Sequence, residues 1–279
     1  MHWQTSRFRI ELASPRVMGI VNVTPDSFSD GGRHASTGSA LAHCEELVAQ
    51  GAHILDIGGE SSRPGSPPVT LDEERARVIP VLKYAVTLGV PVPVDTYKPE
   101  IMREALDLGA DIINDIWGFR REGAIDAIAA HPRCGVCIMH MHGEPRTMQR
   151  EPMQGDAVPQ VREFLARQTA QLRARGVDAG RIVRDPGIGF GKTVQQNFAL
   201  LARQRELLDG EVALLVGWSR KSSLGNVTGL PVDERMAPSV AAALLAVERG
   251  ARVVRVHDVK ETVAALKVRD AMMAWETQE

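Results

Sequence analysis

Eight short runs rich in β-branched and aliphatic residues recur along the chain, with helical spacing of apolar residues between them, and this alternation constrains the fold more than any other feature. The runs are 17–23, 53–58, 90–95, 111–116, 134–140, 181–185, 213–217 and 252–257. Helical spacing covers 39–50, 71–88, 99–108, 158–175, 196–208, 236–248 and 259–275, with a shorter candidate at 123–130. Several runs, such as CGVCIM, ALLVG and ARVVRV, are apolar without alternation, as strands covered on both faces are. That implies a parallel sheet. Eight β–α units in 279 residues fit a single (β/α)8 TIM barrel better than an open doubly wound sheet, and no linker or low-complexity tract divides the chain. One domain over 1–279 is expected. The Gly-, Pro- and Ser-rich stretches 24–37 and 60–70 each follow a strand end and read as long loops over one face of the barrel.

Composition narrows the function. With 33 Lys plus Arg against 35 Asp plus Glu, the net charge is −2, so the basic footprint of a nucleic-acid binder is absent and no such partner is expected. Three cysteines, Cys44, Cys134 and Cys137, make an odd set that suits a reducing compartment, the cytoplasm, rather than a disulfide scaffold. The first ten residues hold no apolar signal core, and the longest apolar stretch, 239–247, is far below the ~20 residues of a membrane span. Neither export nor membrane anchoring is expected.

In a (β/α)8 barrel the chemistry lies where strands end, and those positions are polar here: Asn22, Asp56 with Glu60, Asp95, Asn114 with Asp115, His140 with His142, Asp185, Ser219 to Lys221, and Arg255 with His257. Any one of them could merely cap a helix. Eight together point to a site. The Gly-Lys-Thr within DPGIGFGKT (185–193) invites a phosphate-loop reading, but Pro186 stands where a Walker loop needs glycine, and Gly187, Gly189 and Gly191 alternate instead. Those glycines read as tight turns that let a flat ligand approach beside Asp185. Cys134 and Cys137, three apart on a strand, face opposite ways and read as core. His140 and His142, two apart, share a strand face and keep a metal-dependent barrel hydrolase open as a rival. Arg220 with Lys221, Arg255 with His257, and Arg63 suggest an anion site. Asp95, Asp185 and Asn114 opposite them suit a ligand with a donor-rich edge and an anionic tail.

The ordered motifs MGIVNVTPDSFSDG (18–31), DIGGESSRPG (56–65), VDTYKP (94–99), INDI (113–116), MHM (139–141), DPGIGFGK (185–192), SRKS (219–222) and RVHDVKE (255–261) resemble those of the dihydropteroate synthase family along nearly the whole chain. The resemblance implies a transferase of folate biosynthesis that joins 6-hydroxymethyl-7,8-dihydropterin diphosphate to 4-aminobenzoate, with Mg2+ as cofactor and a homodimer as the working form. It also implies residue roles. Pterin contacts fall on Asp95, Asn114, Met139, Asp185, Phe190, Gly217 and Lys221; diphosphate and Mg2+ functions fall on Asn22, Arg255 and His257. Aminobenzoate contacts fall on Phe28, Ser62, Arg63, Pro64, Lys221 and Ser222, with Ser62 also near diphosphate. Asp95, Lys221, Arg255, His257 and Arg63 are the implied catalytic set, and Asn22 the metal ligand. Ser62 stands where many members carry Thr, and His142 where Gln is common. A pterin-binding methyltransferase domain shares the pocket but suits the SRKS and Arg63-Pro-Gly65 elements less well, and a paralogue that binds without turnover is the non-enzymatic alternative.

Overall fold

A short hairpin that the sequence reading missed comes first: β1 (His2–Gln4) and β2 (Arg9–Glu11) pair antiparallel, with Trp3 opposite Ile10. Eight parallel strands follow in the computed structural model, which describes residues 1–24, 32–61, 65–145, 147–148 and 150–276. They are β3 (Arg16–Asn22), β4 (Ile54–Gly58), β5 (Pro93–Asp95), β6 (Ile112–Asp115), β7 (Gly135–Met139), β8 (Ile182–Asp185), β9 (Ala213–Val216) and β10 (Val253–Val256). Each bonds to the next in chain order and β10 closes on β3, so the sheet has no edge. The fold is the (β/α)8 barrel that the alternation predicts.

The helices are α1 (Gly32–Ala49), α2 (Leu71–Ala85), α3 (Pro99–Asp107), α4 (Ala124–Ala129), α5 (Ala157–Ala174), α6 (Val194–Ala202), α7 (Ser222–Thr228), α8 (Met236–Glu248) and α9 (Val259–Glu276). Local signals set their starts. Thr70 and Glu73 form a reciprocal capping box at α2, Thr193 and Gln196 do the same at α6, Asp156 caps α5 and Pro99 opens α3. Two expectations are corrected. The span 24–37 is not loop throughout, because α1 begins at Gly32; and the helix read over 196–208 breaks at Ala202, with a tighter 3-10 turn at Gln204–Leu207. α7 escaped notice because Ser, Gly, Asn and Thr make a weak helix former.

Three apolar layers hold the barrel. The largest lies between strands and helices, where Val21, Leu55, Ile57, Val94 and Ile113 meet Leu47, Val78, Leu82 and Ile101. Inside the barrel, Met18, Ile54, Ile112, Cys137, Val183, Leu215 and Val253 pack on Trp3, Ile10 and Leu12, so the hairpin plugs the bottom. Cys137 thus faces inward while Cys134 belongs to the outer layer, as their spacing predicts. At the top, Met139, Met141, Met148, Phe190, Tyr97 and Ile116 form a third cluster.

Candidate active site

Strand alternation carries the inner apolar layer directly into the polar one. One pleat above Ile54 on the inward face stands Asp56, above Ile112 stands Asn114, above Val183 stands Asp185 and above Val253 stands Arg255. The same parity places Asn22, Asp95, Met139, Gly217 and His257 at the mouth. Register aligns them laterally, since Asp95 pairs with Asn114, Met139 with Asp185, and Gly58 with both Asn22 and Asp95.

Arg255 is the hub of one side. Its Nε donates to Asp56 Oδ2 at 2.5 Å and its Nη2 to Asp95 Oδ2 at 3.0 Å, while Asn114 Nδ2 donates to the same Asp56 oxygen at 3.3 Å. Burial, followed by the Asp56 charge, pushes Asp95 up to about 8, against the pull of Arg255. Asp95 therefore holds a proton readily even with Arg255 beside it.

The other side gathers around Asp185, whose Oδ1 accepts from Gly187 N at 2.7 Å. Burial pushes this carboxyl up, and the Gly187 N–H, Lys221, Lys192 and Arg255 draw it back. Lys221 lies with its ammonium 4.3 Å from the Phe190 ring centre, and burial brings it down to about 8. The three alternating glycines all have positive φ, +66° at Gly187, +83° at Gly189 and +68° at Gly191. A Cβ at Gly187 would lie 1.8 Å from the His140 carbonyl oxygen, and one at Gly191 2.2 Å from that of His142. The glycines thus serve contact with the neighbouring loop as well as tight turning. Lys192, read as part of a failed phosphate motif, is buried at 3% exposure and donates to the carbonyls of Gly187, Phe190 and His140 at 2.8, 3.1 and 3.3 Å.

His257 differs from the cationic reading of its cluster. Burial, with Arg220 and Arg255 close by, brings it down to about 3, so it is neutral at pH 7. Its Nδ1 lies 2.9 Å from Ser219 Oγ, which itself accepts from His257 N at 3.1 Å; the network assigns the hydroxyl proton to Nδ1 and the imidazole proton to Nε2. Arg220 pairs with Asp258 at 2.6 Å. Asp115 takes the bland role: its carboxylate accepts from Trp117 N and Phe119 N and caps a turn. Glu60 is tied to Lys98 at 2.6 Å and to the Tyr97 hydroxyl.

The shared-face reading of the histidine pair does not hold. β7 ends at Met139; His140 is buried edge-on against Phe164 at 4.9 Å and brought down to about 2, while His142 is exposed in the following loop.

The pattern of the family described as pterin binding enzyme matches residues 18–257. A dihydropteroate synthase of Neisseria meningitidis serogroup B is 49% identical over 97% of each chain. The chain belongs to the dihydropteroate synthase family. Among solved structures, the Burkholderia cenocepacia dihydropteroate synthase complexed with 7,8-dihydropteroate superposes with a TM-score of 0.90 at 51% identity, covering 100% of this chain and 98% of that one. The Xanthomonas albilineans enzyme with 4-aminobenzoic acid gives a TM-score of 0.92 at 45% identity, over 98% and 99%.

Of the residues that the family resemblance singles out, Asn22, Asp95, Asn114, Met139, Asp185, Phe190, Gly217, Lys221, Arg255 and His257 lie on strand ends or the loops just beyond them at one end of the barrel, with Ser222 opening α7. Phe28, Ser62, Arg63 and Pro64 lie outside the described residues. Sequence reasoning placed Asp56 and Ser219 at strand ends without a role and weighed Lys192 only within a failed phosphate motif. For Asp56 the inward parity was a usable signal; for the other two only the folded contacts are informative.

Proposed function

We propose that this chain catalyses the attack of 4-aminobenzoate on 6-hydroxymethyl-7,8-dihydropterin diphosphate, forming 7,8-dihydropteroate and releasing diphosphate. The observation that carries this reading is a single barrel mouth in which Asp185, Asp95 and Asn114 stand beside Lys221, Arg255 and His257, in a chain this close to dihydropteroate synthases. Asp185 can accept a two-point bond from adjacent pterin N–H groups, and Lys221 can donate to pterin acceptors. Departure of diphosphate before attack leaves a pterin cation, whose charge favours the Asp95 carboxylate; Asp95 gives its proton to the departing diphosphate and stabilises the cation, and the proton freed by the arylamine as the C–N bond forms passes to solvent with the products. Arg255 and the Nε2–H of neutral His257 receive the charge growing on diphosphate. The arylamine is neutral near pH 7 and needs no dedicated base.

Mg2+ belongs to this reading. Asn22, half-buried on the inward side at the end of β3, offers an amide oxygen, and no group of three or more His, Cys, Asp or Glu is arranged to hold a metal ion among the described residues. One oxygen ligand suits a hard cation that keeps most of its waters and takes phosphate oxygens from substrate. When bound, such an ion offsets charge on the diphosphate. Phe28, Ser62, Arg63, Pro64 and Ser222 are assigned to aminobenzoate on the resemblance. Incubation with the pterin diphosphate, Mg2+ and 4-aminobenzoate should yield dihydropteroate; folded protein that makes none would be a binding-only paralogue.

The same reading makes the chain one domain, a homodimer and cytoplasmic. Val268, Met272 and Trp275, spaced along one stripe of α9, are 73%, 48% and 74% exposed, with Leu245 on the adjacent α8 at 47%; this supports a self-association face. Light scattering should give twice the chain mass, and Trp275→Glu should shift it towards monomer. All three cysteines are free and buried, which suits a reducing compartment. No helix among the described residues is long and apolar enough to cross a membrane.

A further inference from the structure

Asp56 sits at the inward face of β4 with no exposure, one oxygen shared by Arg255 and Asn114 and the other, Oδ1, without a hydrogen-bond partner among the described residues. A buried carboxylate left half-satisfied is costly. Its contacts give a reason for it. Through Nε and Nη2 the guanidinium is held at two edges by two carboxylates, so it cannot rotate about its own stem, and Nη1 makes no bond among the described residues. A carboxylate only accepts, so the amide it meets must turn Nδ2 inward and leave Oδ1 for a ligand donor.

We infer that Asp56 is a positioning residue for the transfer: its carboxylate sets the Arg255 guanidinium for the leaving diphosphate and the Asn114 amide for the pterin in one fixed geometry. The inference rests on the proposed reaction but concerns a residue to which that reaction assigns no contact with substrate. It also has an electrostatic consequence. Asp95 is faced by Asp56 from β4, Arg255 from β10, Glu74 from α2, Asp115 from β6 and Lys221 from the loop after β9. Of these, Asp56 is the strongest of the charges that push Asp95 up.

Asp56→Asn keeps the volume and removes the charge. Turnover should fall on the order of 100-fold, as misplaced catalytic groups cause, while KM for 4-aminobenzoate stays within about twofold, roughly the scatter of a distant site. The acid limb of the kcat/KM profile for the pterin diphosphate should move to lower pH, because Asp95 loses a like charge and keeps Arg255. A purely structural role would lower the folded fraction and leave turnover per folded molecule near that of the parent. Turnover within about threefold of the parent, or a loss with an unmoved acid limb, would overturn the inference. A second measurement needs no Asp56 variant. In parent protein labelled with 15N-arginine, the Arg255 Nε–H, assigned by its disappearance in Arg255→Lys, should exchange slowly with water at neutral pH. Rapid exchange would also overturn it. Failure of the parent protein to form dihydropteroate would instead sink the proposed reaction and leave the exchange result standing.

Discussion

Burial sets the protonation of the side chains at the barrel mouth, and it does so differently for each. Asp185 and Lys221 illustrate the consequence. Asp185→Asn removes one acceptor from the proposed two-point bond and should weaken pterin binding on the order of a hundredfold, read by calorimetry on protein whose circular dichroism is unchanged. Lys221, brought down to about 8 chiefly by burial, is an ammonium below that pH and increasingly a neutral amine above it. Affinity for a pterin acceptor should therefore fall as pH rises through about 8, and Lys221→Gln should flatten that alkaline limb in a binding titration. An unchanged limb in the variant would assign it to another group. Residue types at these positions were legible from the sequence because strand ends of a barrel are predictable. Protonation was not, since only the burial of His257 beside Arg220 and Arg255 shows that it donates as a neutral imidazole.

At the scale of elements, the β8–α6 loop behaves as one preorganised piece. Lys192 draws three carbonyls from two loops onto one ammonium, Asp185 accepts from Gly187, and Gly189 N donates to Asn197 Oδ1 at 2.8 Å. Gly187→Ala meets both a left-handed backbone and a carbonyl oxygen at 1.8 Å, so the loop must move. Stability should drop by more than about 1 kcal/mol, seen as a lower denaturant midpoint, and pterin affinity should fall with it because the Asp185 contact lies in the same turn. A variant of parental stability would show that the loop yields easily. The alternation of glycines was visible in the sequence, but what they approach was not, because the His140 and His142 carbonyls arrive from a different β–α unit.

For the whole molecule, the hairpin of β1 and β2 closes the barrel end opposite the site. Trp3 is fully buried, donates Nε1–H to Arg181 O at 2.9 Å and lies against Gly135, where a Cβ would meet its Nε1 at 3.0 Å. Asp111, fully buried, receives Arg7 at 2.6 Å and the backbone N–H of Val92 at 2.9 Å, locking the hairpin to the barrel floor. Trp3→Ala should cost about 3–5 kcal/mol of unfolding free energy in a urea titration, with little change in substrate KM in the protein that remains folded. The sequence alone determined the eightfold repeat, the barrel and the polar ring of strand ends, because period and spacing act locally and each β–α unit states them again. Only the tertiary structure decided that Asp56 and Asp95 share one guanidinium, that Lys192 is caged rather than phosphate-facing, and that His140 and His142 part company. Those outcomes depend on which distant residues burial brings within a few ångströms, and no local pattern encodes that.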